Sequence, residues 1–429
     1  MHIFREQLRT ERRQCFCGTL TYFIEKHKLQ DDFFRQLIEE HSNELDEVMN
    51  INWDLLVLDE LLAPIAYSIG LRFKEERSTP YILYPTCGEQ TASSMEARSL
   101  SRNPVVKSVM FPSPPADSEH YFKATSFYYR LYSFSHVFYE IFGFYWIVGP
   151  HYMPHIEIFG VNDFSWQNLY KGAAVTFSDS IDRLGWPTSE GMDLVNIGAH
   201  CKKSEVLDGE LKEFVEDSKS NGTIYLALGT YANWAYAPNH VLNAFANALK
   251  QFSSYRIIFS FNGDPNRMPK LPFIKIVKWA PQTAILNHPN TRVFVSHGGL
   301  KSIKESLCSK TPLILMPMGA EQGHNAHQLL SLGYGRVLNK LTVTEKKVYS
   351  EINHVLQNPY YQERYNRLYD ILLDRPIPAL DMALFQTERI LRAHNNEVVF
   401  KRKGIDLYWY EYLYVQLASV LLGAILLLK

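Results

Sequence analysis

Thr223–Ile224–Tyr225–Leu226–Ala227–Leu228–Gly229–Thr230 reads as a buried strand that runs into a loop of small residues. A short apolar run closed by glycine is what a parallel strand covered on both faces leaves in a sequence. The pattern then repeats. A helix is expected from about Pro238 to Phe252, a strand from Arg256 to Phe261, and further strands at Ile274–Val277, Val293–Ser296 and Leu313–Met316. Helix-length segments at Leu300–Cys308 and Gln322–Leu332 follow the last two. Strands that alternate with amphipathic helices build a parallel sheet with helices on its faces, so the fold class is α/β.

Upstream the alternation continues in shorter runs. Asp54–Asp59, Pro80–Tyr84, Ala173–Phe177 and Val195–Gly198 read as strands of a first sheet, with a short helix over Pro64–Gly70. His200–Asn221 is charged with a polar end and suits a linker between two sheets. The chain therefore divides into residues 1–200, a linker over 201–220, and residues 221–375. Aromatic residues crowd between Tyr121 and Trp146. Their spacing fits a helix with its aromatic face in a core, or else a wall for a flat, greasy ligand or a surface resting on a membrane.

At 429 residues the chain is long enough for two to three domains. Lys+Arg 44 against Asp+Glu 45 leaves a charge of −1, which offers no basic field to a nucleic-acid backbone. With 46% hydrophobic and 21% charged residues the composition is that of a folded globular protein. The five cysteines are odd in number and, apart from Cys15 and Cys17, which are too close for the usual CxxC geometry, widely spaced, so neither a disulfide framework nor a zinc site follows. The stretch Met1–Gln14 carries six charges and no apolar run, and no secretory signal is read there. At the other end, Tyr412–Leu428 gives 17 mostly apolar positions, at the short edge of the ~17–25 that span a bilayer. Aromatics just before this run favour a membrane interface, so a C-terminal anchor over 408–429 is expected.

Ligands of doubly wound sheets bind at the carboxyl ends of strands, where loops enter helices. Three such loops follow in order: Gly229–Thr230, Ser296–His297–Gly298–Gly299, and Pro317–Asn325. A helix that opens on paired glycines presents backbone N–H groups and its positive dipole end to an anion. His297 and Ser302 can donate to the same anion, and Glu305, one turn on from Ser302, can accept from vicinal sugar hydroxyls. Trp279 offers an indole plane for a base, and Gln282 can donate to and accept from its amide edge. Singly, a Gly-Gly pair is a common turn and a lone histidine a common surface or core residue. In series they describe a site for a nucleotide diphosphate.

The series Trp279–Ala280–Pro281–Gln282, Ile285–Leu286–Asn287–His288–Pro289, Phe294–Val295–Ser296–His297–Gly298–Gly299, Ser302, Glu305, Pro312, Pro317, Glu321–Gln322 and Asn325–Ala326 resembles the donor-binding signature of the UDP-glycosyltransferases, including the UDP-glucuronosyltransferases. The resemblance implies a GT-B fold, two facing doubly wound Rossmann-like domains, with a helix over 376–400 returning to the first domain and the C-terminal anchor helix. It implies that Trp279 stacks on uracil, Gln282 bonds the uridine and Glu305 holds the ribose hydroxyls. His297, Gly299, Ser302 and Thr230 would hold the diphosphate, Glu321 and Gln322 the donor sugar, with Asn325 in the same loop. The implied chemistry is metal-free inverting transfer from a UDP-sugar to a hydroxyl of a small lipophilic acceptor. No cofactor is required. The implied location is the endoplasmic reticulum membrane, with the domains in the lumen.

Two positions depart from the family pattern. Lys301 stands where the family has Asn, a point charge in place of an amide. Asp59 matches the Asp that orients the family's catalytic His, yet no strand and His loop precede it; His2 and His27 do not follow strands. The first domain is therefore expected to be incomplete. The alternative reading is a non-catalytic, membrane-anchored homologue that binds UDP-sugar or a partner subunit in a homo- or hetero-oligomer.

Overall fold

Among the described residues, short strands form two separate parallel sheets. The structure is a computed structural model and describes residues 34, 36–59, 64–86, 117–118, 123, 125–131, 149–181, 193–203, 205–229, 233–319, 321–393, 407, 409–412 and 414–427. The first sheet holds β1 (Leu56–Asp59), β2 (Tyr81–Tyr84), β3 (Val175–Ser178) and β4 (Leu194–Asn196) in that order. The second holds β5 (Thr223–Ala227), β6 (Arg256–Ser260), β7 (Ile274–Val277), β8 (Thr291–Ser296), β9 (Leu313–Leu315) and β10 (Gly335–Val337). Its order is β10-β9-β8-β5-β6-β7. The strand order thus reverses between β8 and β5, which opens a crevice at their carboxyl ends. In the first sheet the described strands run in sequence order, so the expected doubly wound reversal is seen in the second sheet alone.

The helices used below are α1 (Pro64–Arg77), α2 (Trp166–Gly172), α3 (Asn239–Leu249), α4 (Gln282–Asn287), α5 (Leu300–Ser309), α6 (Gln322–Ser331), α7 (Glu345–Gln357), α8 (Pro359–Leu373), α9 (Ala379–Arg392) and α10 (Val415–Leu427). Alternate residues of β5 point to opposite faces, the period-two geometry of any strand. Ile224 and Leu226 pack with Val241, Phe245 and Leu249 of α3 and Val348 and Ile352 of α7. Tyr225 and Ala227 pack on the other face with Ile285 of α4, Ile303 and Leu307 of α5, Leu329 of α6, and Tyr365 and Leu368 of α8. The second sheet is therefore covered on both faces, which is why its strands read as continuous apolar runs. In the first sheet, Tyr81 and Leu83 pack with Tyr67 of α1 and Trp166 and Leu169 of α2. Ile390 of α9 joins Ile82, Val175, Phe177 and Ile197, so this late helix lies against the first sheet.

Two sequence expectations meet a different outcome, and a third falls outside the described residues. No helix among the described residues is long and apolar enough to cross a membrane, and the expected anchor over 408–429 is corrected accordingly. The apolar tail folds as α10, of 13 residues, or about 20 Å at 1.5 Å per residue, against a hydrocarbon thickness of about 30 Å. Tyr414 sits at φ 55°, a left-handed position that interrupts the helix and separates α10 from the aromatic turn Trp409–Tyr412. Second, Cys201 and Cys308 are disulfide-bonded across 107 positions, with Cα atoms 5.5 Å apart. Third, most of the aromatic segment Tyr121–Trp146, together with His2 and His27, lies outside the described residues.

Candidate active site

The crevice between β5 and β8 gathers most of the anticipated donor-side residues. β8 ends at Ser296, and His297–Gly298–Gly299 leads into α5. Gly298 has φ +88°, a conformation that glycine adopts freely and L side chains resist. Its N–H donates to Ser296 Oγ at 3.3 Å, and its carbonyl accepts from Asn325 Nδ2 at 3.0 Å. Asn325 is buried on α6, so its described contact is with the glycine loop.

The imidazole of His297 is wedged between two glycines. A Cβ on Gly229 would come within 2.8 Å of the ring, and one on Gly299 within 2.6 Å. Burial pushes His297 down to about 4, so the ring is neutral at physiological pH. Its Nδ1 is enclosed and has no hydrogen-bond partner among the described residues. The neutral ring stands beside the α5 N-terminus, whose backbone amides are suited to meet a phosphate oxygen. Gly299 gives α5 no side-chain cap, so the first-turn amides stay available to the same anion. Thr230 lies outside the described residues.

One turn along α5, a polar cluster is tied together. Gln282, at the start of α4, donates through Nε2 to Ser302 Oγ at 3.2 Å and to Glu305 Oε2. Thr283 Oγ1 donates to Glu305 Oε1 at 3.0 Å, and Tyr225 Oη donates to Gln282 Oε1 at 3.3 Å. Burial, with the Glu305 charge beside it, holds the Tyr225 phenol protonated well beyond its ordinary range. Tyr225 and Thr283 were not anticipated from the sequence, because Tyr225 reads as a core strand residue and Thr283 carries no motif. Trp279 leaves 75% of its surface exposed just ahead of α4. A large flat ring exposed beside a half-buried polar cluster is the kind of surface that meets a ligand.

The third loop wraps the far side of the crevice. Gln322 Oε1 accepts from the backbone N–H of Met318 at 2.9 Å and of Gly319 at 3.3 Å, which shapes the loop and turns the amide nitrogen away from it. Glu321 immediately precedes α6, and Lys301 is exposed on the first turn of α5. Asp59 lies in the other sheet, at the end of β1, where Thr86 Oγ1 donates to its two carboxylate oxygens at 3.3 and 3.2 Å. Next to it, Tyr84 is pushed up to about 12 by burial, by the charge and hydrogen bond of Asp179, and by Asp59. No group of three or more metal-ligating side chains occurs among the described residues.

The α/β fold with two parallel sheets is similar to that of solved glycosyltransferases. The glycotransferase of kitacinnamycin has the same fold, with a TM-score of 0.57 at 18% identity, over 86% of this chain and 83% of that one. The calicheamicin glycosyltransferase gives a TM-score of 0.52 at 15% identity, over 87% and 82%. The family follows from the sequence: residues 130–428 match the model of the UDP-glucoronosyl and UDP-glucosyl transferase family, and the chain belongs to that family. A UDP-glucuronosyltransferase of Pleuronectes platessa is 30% identical over 267 residues, 61% of this chain and 55% of the relative. UDP-glucuronosyltransferase 1A6 of Oryctolagus cuniculus is 30% identical over 241 residues, 56% and 44% of the two chains. The chain thus spans about half the length of the curated relatives it matches.

Proposed function

We propose that the β5–β8 crevice binds a UDP-sugar and that the chain transfers the sugar to a hydroxyl of a small lipophilic acceptor by metal-free inversion. The observation that carries the reading is the cluster Gln282–Ser302–Glu305, which continues into the His297–Gly299 turn. In this reading Trp279 stacks on the uracil and Gln282 reads its amide edge. Glu305 accepts from the ribose hydroxyls; His297, Gly299, Ser302 and Thr230 surround the diphosphate; Glu321 and Gln322 meet the sugar. Asn325 supports the loop. The acceptor oxygen attacks the anomeric carbon as the bond to the UDP oxygen breaks, the hydroxyl proton passes to solvent, and the amides at the α5 N-terminus stabilise the charge that builds on the leaving phosphate. The first sheet supplies the acceptor side, with Asp59 as the orienting carboxylate. Domain limits of 1–200 and 221–375, joined by 201–220, and a closing helix over 376–400 complete the proposal.

Calorimetry of UDP and ADP, followed by UDP release from UDP-sugars with a panel of phenolic acceptors, tests this reading. Selective UDP binding with acceptor-dependent release is the expected result. Equal binding of UDP and ADP would remove the uridine assignment, and failure to bind either would remove the site.

A further inference from the structure

Helix α5 carries more than the donor cluster. Lys304 and Cys308 stand one turn apart on a face different from that of Ser302 and Glu305. Both are fastened to the first half of the chain. Lys304 Nζ lies 2.6 Å from Asp179 Oδ1, with side chains only 12% and 3% exposed, and Cys308 is bonded to Cys201. Asp179 directly follows β3, and Cys201 lies in the segment that leaves β4. The Asp179 charge also acts on the Tyr84 phenol, whose residue pairs with Asp59 across β1 and β2. A line of contacts therefore runs from the carboxyl edge of the first sheet to the helix whose N-terminus opens on His297.

A buried ion pair is poor evidence for stability, since desolvation of both charges offsets their attraction. Its contribution is geometric, because neither charge can leave the other without a large penalty. We propose that the Lys304–Asp179 pair and the Cys201–Cys308 bond hold α5 against the first sheet and thereby keep its N-terminal turn in the geometry that binds a diphosphate. Lys304 and Asp179 are then positioning residues that join the two halves of the site. The proposal rests on the donor-site reading given above.

The test compares the parent with Lys304→Gln, Lys304→Arg and the double variant Cys201→Ser/Cys308→Ser. UDP affinity is measured by calorimetry, and amide hydrogen exchange over residues 298–303 is measured without ligand. Lys304→Gln and the double serine variant are each expected to weaken UDP by about tenfold, inside the roughly 5- to 150-fold range of coupling between sites. Both are expected to speed exchange at the α5 N-terminus, and Lys304→Arg to restore most of the affinity. Treatment of the folded parent with a dithiol serves if a variant fails to fold. The sulfur–sulfur bond breaks, two electrons and two protons pass to the cysteines, and the reagent becomes its cyclic disulfide. It should reproduce the loss in the parent and leave the double serine variant unchanged. Unchanged UDP affinity together with unchanged exchange overturns the proposal, as does lower thermal stability with unchanged UDP affinity. If the parent does not bind UDP, the donor-site reading fails; exchange then decides alone whether the two links hold the turn.

Discussion

Replacing Glu305 by alanine removes one carboxylate that accepts from both Thr283 Oγ1, at 3.0 Å, and Gln282 Nε2. A carboxylate has about four lone-pair sites, so two remain for vicinal hydroxyls when those protein bonds are made. Hydrogen bonds to a charged group contribute roughly 1.5–3 kcal/mol. If Glu305 holds the ribose, Glu305→Ala should therefore weaken UDP by roughly 10- to 150-fold, at 1.4 kcal/mol per tenfold. Truncation also frees Gln282 and Thr283, and this local loosening must be separated from lost ligand contact. Thr283→Val does so, because it deletes one neutral partner and keeps the carboxylate. Because this bond also ends on the carboxylate, its cost should appear as roughly 1.5–3 kcal/mol of stability, with a UDP effect well below that of Glu305→Ala. Calorimetric titration of UDP beside thermal unfolding of each variant gives both readouts. Should Glu305→Ala lower the unfolding temperature yet leave the UDP Kd in place, the carboxylate is a fastening of α4 to α5 and the ribose assignment is refuted.

Trp279 is mostly exposed, so Trp279→Ala should change stability by no more than about 0.5 kcal/mol. It should nonetheless cost roughly 1–3 kcal/mol of UDP binding through lost stacking; calorimetry and a urea melt on one sample distinguish the two. Gly298→Ala forces a side chain into φ +88° with its Cβ 3.4 Å from the Gln322 carbonyl. A strain of about 1–2 kcal/mol and a weakened UDP complex are expected, and unchanged binding would show that the turn tolerates displacement. His297 sits at about 4 against an ordinary 6.5, so as pH falls the unfolded chain takes up this proton first. Stability from this group rises with pH between about 4 and 6.5 and is lost on acidification through that window. Unfolding free energies from urea melts across that range should fall with acid by up to about 3 kcal/mol, at 1.36 kcal/mol per unit, and His297→Asn should flatten that limb.

The second sheet was legible because its strands are buried on both faces and its helices amphipathic. The strand expected at Ile274–Val277 has those limits, and the helix expected from about Pro238 to Phe252 runs from Asn239 to Leu249. β10 escaped notice because Gly335–Arg336–Val337 is three residues long, starts with glycine and carries a charge. Pairings far apart in sequence were not legible either. Nothing local joins Cys201 to Cys308, or Asp179 to Lys304 across 125 positions, since only the packing of α5 brings them together. The tail failed for the opposite reason. Its hydropathy was read correctly, yet a composition window does not register that Tyr414 turns left-handed and shortens the helix. Of the site, sequence order supplied the residue types; the partners that fix their orientation, Tyr225 and Thr283, came from the fold.

The electrostatics of the crevice follow from where the lysines of α5 go. Lys304 is taken up by Asp179, Lys301 lies exposed, and His297 is neutral. In the proposed reading, the uncapped first-turn amides of α5 and its dipole therefore offer a diphosphate positive potential from backbone. Such dipoles neither titrate nor rotate, so they need no reorganisation when charge moves onto the leaving phosphate. A mobile ammonium in the same place would bind the ground-state diphosphate as readily as the departing one, and binding both equally does not accelerate transfer. Holding the helix end rigid matters more in this arrangement than adding charge. On the proposed reading, that gives a physical reason for a side chain as polar as Lys304 to be buried in an ion pair with Asp179.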